Sequence, residues 1–152
     1  MRVYRLSKKK YSDSLSGAGA AAAGGRWNSK GIAMVYTSAS RALSLLEAYV
    51  HLSSTVIPRD YVMMNIDIPD SLNQDIIDIN TLPADWRSDA GILKTRKIGD
   101  DFIASNAVCV LRVPSAVVPG DHNYLLNPDH PDFSKISIIS ADDFPFDDRM
   151  FL

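Results

Sequence analysis

Apolar and polar residues alternate over residues 3–6, with Tyr4 and Leu6 on one face and Val3 and Arg5 on the other, which predicts a short strand. Residues 7–17 are polar, and the alanine run that follows is ringed by Gly17, Gly19, Gly24 and Gly25, so both stretches read as loop. Residues 32–37 are apolar and β-branched enough for a buried strand. Ser38 or Ser40 can cap a helix running to about residue 52, on which Ala39, Leu43, Leu46 and Val50 share the arc expected to be buried. Ser44, Glu47 and His51 lie along its flank. Further on, residues 61–68 alternate as a strand ended by Pro69, and 76–79 predict a shorter one. Residues 82–86 form a turn with Trp86 as an aromatic anchor, and 97–106 predict a helix interrupted early by Gly99. Residues 108–113 make a continuous apolar strand stopped by Pro114-Ser115, and the segment from Gly120, with Asn123, Tyr124, Asn127 and His130 among prolines, reads as ordered loop.

This order lacks the regular βαβ alternation of a doubly wound sheet, so the expected class is α+β: mixed, largely antiparallel sheets with flanking helices. With 152 residues, 46% of them hydrophobic, and no repeat or linker, one domain over residues 1–152 is the expectation. No apolar run approaches the roughly 20 residues that span a bilayer. Sixteen Lys+Arg against eighteen Asp+Glu give a net charge of -2, without the basic excess of a non-specific nucleic-acid binder. A small anion remains compatible, because it needs only a local positive pocket. The single cysteine, Cys109, excludes an intramolecular disulfide and a multi-cysteine zinc cluster. Nothing at the N-terminus resembles a signal peptide, which points to the cytoplasm.

Candidate chemistry gathers at Gly24-Gly25-Arg26. Glycines let a backbone approach a ligand closely, and the planar guanidinium behind them suits a phosphate or carboxylate. The competing reading is a turn followed by a solvated charge. Glu47, at the edge of an apolar stripe, is either a helix-surface charge or a group looking into a cleft. His51 follows it by four residues, but no third ligand stands at useful spacing, so no metal is expected. Ser115, at a strand end, is either a backbone-bonding turn residue or a presented functional group. Cys109 lies within an apolar strand and is expected to be buried and inert.

Several motifs occur in one order: Gly-Gly-Arg-Trp-Asn at 24–28, Val-Tyr-Thr-Ser at 35–38, Leu-Leu-Glu at 45–47, Arg-Val-Pro-Ser at 112–115, Leu-Pro-Ala-Asp-Trp at 82–86 and Asn-Tyr-Leu-Leu-Asn-Pro-Asp-His-Pro at 123–131. In these the chain resembles the RES-domain family across nearly its whole length. The family's arginine, glutamate and serine fall on Arg26, Glu47 and Ser115. The resemblance implies a fold similar to that of ADP-ribosyltransferases and the role of toxin in a bacterial type II toxin–antitoxin pair. It implies NAD⁺ as substrate, with no true cofactor, and growth arrest as outcome. The implied partner is an Xre-type helix-turn-helix antitoxin that covers the active site, so that DNA is reached only through the antitoxin. By the same resemblance Arg26 pairs with the diphosphate beside Gly25, Glu47 stabilises the oxocarbenium-like ribose, Tyr36 stacks on nicotinamide or bonds a ribose hydroxyl, and Ser115 and Asn127 fix the ribose. Hydrolysis, phosphorolysis and ADP-ribosyl transfer to a protein share the first step. A non-catalytic nucleotide-binding module lies outside all three, and a nuclease toxin is a further alternative. The bare segment at residues 18–23 departs from the larger or polar side chains expected before Gly-Gly-Arg.

Overall fold

The computed structural model describes residues 1–52 and 55–151. Its centre is one seven-stranded sheet ordered β4-β5-β6-β2-β1-β3-β7. The strands are β1 (Arg2–Lys8), β2 (Val35–Ser38), β3 (Tyr61–Asp67), β4 (Gln74–Ile76), β5 (Val110–Pro114), β6 (His122–Leu126) and β7 (Ser137–Asp143). Neighbouring pairs are antiparallel except β4 with β5, so the sheet is mixed and largely antiparallel. Among the described residues three α-helices accompany it: α1 (Ala18–Ala23), α2 (Arg41–Tyr49) and α3 (Ile92–Ser105). The class is α+β, as the order of apolar and polar stretches predicts.

Alternation along the strands divides the core in two. Val3, Val35, Val62, Met64, Val110 and Leu126 belong to one cluster. Leu111, Val113 and Leu125 belong to the other, where they meet Trp27, Trp86 and Phe102. The register sets Tyr36 opposite Leu125 and Ser38 opposite Asn123, which in turn faces Val113, so these residues share the second cluster's face. Polar groups at the strand ends of that face are therefore carried on a rigid apolar floor.

Several elements differ from expectation. The alanine run is helical: α1 lies between Gly17 and Gly24, both at φ of 70°, which supply the left-handed backbone at its two ends. The segment read as loop after Gly120 is β6, a central strand, because its inward Asn123 breaks an otherwise apolar face. Strand β7, on the sheet edge, has a mostly solvated pattern that conceals it. The 76–79 stretch instead ends β4 at Ile76 and enters a 3-10 turn at Ile79. Helix α3 begins five residues earlier than expected, and Gly99 does not interrupt it. That glycine is where α3 presses on the Trp27 backbone, and a Cβ there would overlap the Trp27 carbonyl.

Helix α2 is shorter than expected and rotated from its apolar stripe. Ser40 caps it, its hydroxyl oxygen accepting the Leu43 N–H at 3.0 Å. The buried residues are Leu43 and Ser44, whereas Leu46 and Val50 are exposed. The reason lies in β1, which meets β2 only at Tyr4 and Ser38. The Leu6 N–H beyond that point donates to Ser44 Oγ at 2.8 Å, drawing the polar flank of α2 onto the sheet. Glu47 is carried inward with that flank.

Candidate active site

Three strand ends converge beside α2. Strand β2 finishes at Ser38, β5 finishes at Pro114 immediately before Ser115, and β6 begins next to Asn123. Glu47 lies two turns into the helix that leaves β2. Its Oε1 accepts two short bonds, from Ser115 Oγ at 2.7 Å and from Asn123 Nδ2 at 2.6 Å. Asn123 is itself held by Ser38, whose hydroxyl donates to Asn123 Oδ1 at 2.8 Å. Oε2 takes no hydrogen bond among the described residues. One carboxylate oxygen is clamped and the other is free of protein donors among the described residues. Charge-assisted bonds of this length are among the stronger ones in proteins.

Ser115 is 1% exposed and sits in a tight turn. Its hydroxyl donates to Glu47 and accepts the N–H groups of Val117 at 3.1 Å and Val118 at 2.9 Å. A hydroxyl has one proton and two lone pairs, so its capacity is full. The serine thus combines both readings of a strand-end serine: it binds the backbone of its turn and holds the glutamate.

Arg26 belongs to a second cluster, built on the loop after α1. Its Nη1 donates to the Trp86 carbonyl at 2.8 Å, while its own carbonyl accepts from Thr95 Oγ1 at 2.6 Å. Tyr36 hydroxyl donates to Asn28 Oδ1 at 2.7 Å and accepts the Trp27 N–H at 3.0 Å. Asn28, fully buried, uses its Nδ2 on the carbonyls of Ala20, Ser29 and Ile32. A Cβ on Gly25 would come within 2.6 Å of the Tyr36 hydroxyl and 2.8 Å of Asn28 Oδ1. The space beside Gly25 is therefore occupied by Tyr36, and the glycine serves the loop's own packing. Burial raises the Tyr36 phenol far above its ordinary pKa, outweighing the Trp27 hydrogen bond and the charges of Arg96 and Arg26. It is a neutral hydrogen-bonding group.

The turn at Trp86-Arg87 connects the clusters. Trp86 receives Arg26 on its carbonyl and packs on Trp27 with ring centroids 6.0 Å apart, and Arg87 reaches the Ser115 carbonyl at 3.5 Å. Residues distant in sequence are thereby joined into one wall.

Asn127 lies elsewhere. It follows the far end of β6, four residues from Asn123 and so about 13 Å along an extended strand. It is fully buried; its Nδ2 donates to Asn106 Oδ1 at 2.8 Å and its Oδ1 accepts the Asp129 N–H at 3.0 Å. These bonds tie the turn after β6 to the end of α3. Asn123 is the site residue that pattern reasoning passed over. Its signal is the run of polar residues at 36, 38 and 123, which becomes a single face only once β2 and β6 are paired.

A family model described as RES domain matches residues 2–147. The chain is 40% identical over 153 residues to "Toxin Res" of Photorhabdus laumondii subsp. laumondii, covering 99% of this chain and 97% of that protein. It is 37% identical over 140 residues to "Prs ADP-ribosylating toxin" of a Sphingobium species, covering 91% and 87%. "Toxin Res" of Yersinia enterocolitica is 36% identical over 152 residues, with 99% of each covered. Among solved structures, a chain of the M. tuberculosis MbcT-MbcA toxin–antitoxin complex superposes with a TM-score of 0.73 over 95% of this chain and 84% of that one. At 18% identity that likeness is one of fold.

Proposed function

Because this chain belongs to the RES-domain family, we propose that it is the toxin of a bacterial toxin–antitoxin pair and an enzyme that consumes NAD⁺ by cleaving the bond between nicotinamide and ribose. The observation that carries the reading is the clamped Glu47 carboxylate, with Oε1 held by Ser115 and Asn123.

Nicotinamide in NAD⁺ is already a cationic leaving group, so breaking its glycosidic bond needs little acid. The bonding pair leaves with the ring nitrogen, and positive charge develops on the ribose C1′ and ring oxygen. A carboxylate fixed beside that centre stabilises the charge in the transition state more than in the ground state. Glu47 Oε2 fills this role, and Ser115 and Asn123 act through Oε1 by fixing the carboxylate's rotamer. Water then adds to C1′ and loses a proton, giving ADP-ribose; with inorganic phosphate in its place, ADP-ribose 1″-phosphate forms. Arg26 supplies charge for the diphosphate, and the neutral Tyr36 holds the loop that presents it.

A second reading, transfer of ADP-ribose to a protein, is favoured by the name of the Sphingobium relative. It uses the same bond cleavage with a different acceptor. Purified chain is incubated with NAD⁺, with and without phosphate and cell lysate. Free ADP-ribose or its phosphate supports consumption, label on a lysate protein supports transfer, and binding without nicotinamide release rejects enzymatic activity. In cells, expression without an antitoxin is expected to arrest growth and lower NAD⁺; normal NAD⁺ during arrest shifts the reading to transfer.

The partner is proposed to be an Xre-type helix-turn-helix antitoxin. Leu46, exposed on the same helix as Glu47, and Val50, exposed immediately after it, offer an apolar rim for a segment inserted over the site.

A further inference from the structure

Arg96 had no place among the candidate residues, yet α3 carries it to the Gly24-Gly25-Arg26 loop. Its Nε donates to the Gly25 carbonyl at 2.7 Å, and its Nη2 lies 3.4 Å from where a Cβ on Gly24 would stand. Arg26 is the next residue in the chain, anchored by one bond to the Trp86 carbonyl. Two guanidinium groups thus flank one dipeptide, each fixed by a single bond to a backbone carbonyl.

Neither is neutralised. Among the described residues no carboxylate forms an ion pair with Arg26 or Arg96. Asp100, one turn along α3, is turned away: its oxygens accept the Ser29 N–H at 2.9 Å and the Ser29 hydroxyl at 2.6 Å. Asp85, near the same turn as Trp86, faces Lys94 at 4.0 Å. Both guanidinium groups are half-buried, anchored by one bond, free of carboxylate partners and close enough to act on the Tyr36 hydroxyl, so each keeps N–H donors for a ligand beside the loop. Each planar fork suits two oxygens of a phosphate.

We propose that Arg96 is the second phosphate-binding residue of the site, so that Arg26 and Arg96 together bind a diphosphate, one phosphoryl group each. The inference rests on the dinucleotide reading above and specifies its substrate class: two adjacent phosphoryl groups are needed for full affinity. Arg87 is less suited, because it reaches the Ser115 carbonyl and stacks on the Trp86 ring at 5.5 Å.

Binding of ADP-ribose and of inorganic pyrophosphate to the full chain is measured by calorimetry for wild type, Arg96→Gln and Arg96→Lys, with circular dichroism as the check on folding. Gln keeps a donor able to reach Gly25 but loses the charge, whereas Lys keeps the charge. The expected result is a loss of roughly tenfold or more in affinity for both probes with Arg96→Gln, and a clearly smaller loss with Arg96→Lys. Wild-type affinity in Arg96→Gln overturns the proposal. So does an equal loss in both variants, since that is the behaviour of a strut for Gly25. Wild-type protein that binds pyrophosphate but not ADP-ribose rejects the dinucleotide reading while leaving Arg96 as a phosphate ligand.

Discussion

Glu47 is intelligible only with the two side chains that grip it. Glu47→Gln keeps the volume but removes the charge that faces the ribose in the proposed mechanism, so kcat is expected to fall on the order of 10²-fold with KM little changed. Asn123→Ala leaves Ser115 in place on the same oxygen and is expected to cost roughly tenfold in kcat, again with little change in KM. Steady-state kinetics on folded variants checks both, and a near-normal kcat for Glu47→Gln would sink the mechanism. Tyr36 and Gly25 form a second pair of this kind. Gly25→Ala forces a methyl against the Tyr36 hydroxyl and is expected to destabilise the fold by about 1–3 kcal/mol. In a Tyr36→Phe background the same change should cost measurably less, because the atom nearest the new methyl is gone. Urea denaturation of the four proteins gives the coupling, and strict additivity would show that the contact is relieved some other way.

Helix α3 shows at the level of an element how packing overrides propensity. In an exposed helix Gly→Ala stabilises by about 1 kcal/mol. At Gly99 the new Cβ would overlap the Trp27 carbonyl, so Gly99→Ala is expected to destabilise despite its propensity gain and to shift the Arg26 loop. Denaturation midpoints test the sign, and a stabilised variant would mean that α3 can move off Trp27 freely. Helix α2 makes the same point in reverse. Its sequence advertises an apolar stripe, but the unpaired Leu6 N–H selects Ser44 and turns Leu46 outward. Leu46→Asp is therefore expected to leave stability and NAD⁺ turnover close to wild type while weakening antitoxin binding. Pull-down or calorimetry with the cognate partner reads the effect; unchanged affinity would remove this rim from the interface.

Across the whole molecule, Cys109 reports on global opening. It is 2% exposed within the core on the sheet face opposite Glu47. Burial and the charge of Asp132 push its thiol up to about 11, with the Asn127 backbone opposing that shift. The thiolate is the reactive form, so alkylation at pH 8 should be slow in the native protein and fast in denaturant. Its rate should follow the global unfolding free energy. Rapid labelling under native conditions would show that the β5–β6 region opens locally.

Periodicity and motif together determine much of this protein. The strand cores around Val3, Val35, Met64 and Val110, the α+β class and the family signature at Arg26, Glu47 and Ser115 are all legible in the chain, because alternation and motif order are local properties. Long-range partners are not. Whether Glu47 faces water or a cleft depends on the orientation of α2, which a backbone N–H on β1 decides. Asn123 and Arg96 come to Glu47 and Gly25 by pairings of 76 and 71 residues in separation. The same tertiary packing makes Gly99 a contact point instead of a helix break. It also places Asn127 at the other end of the strand from Asn123, because a strand carries residues four apart in opposite directions from its middle, where a linear motif sets them side by side.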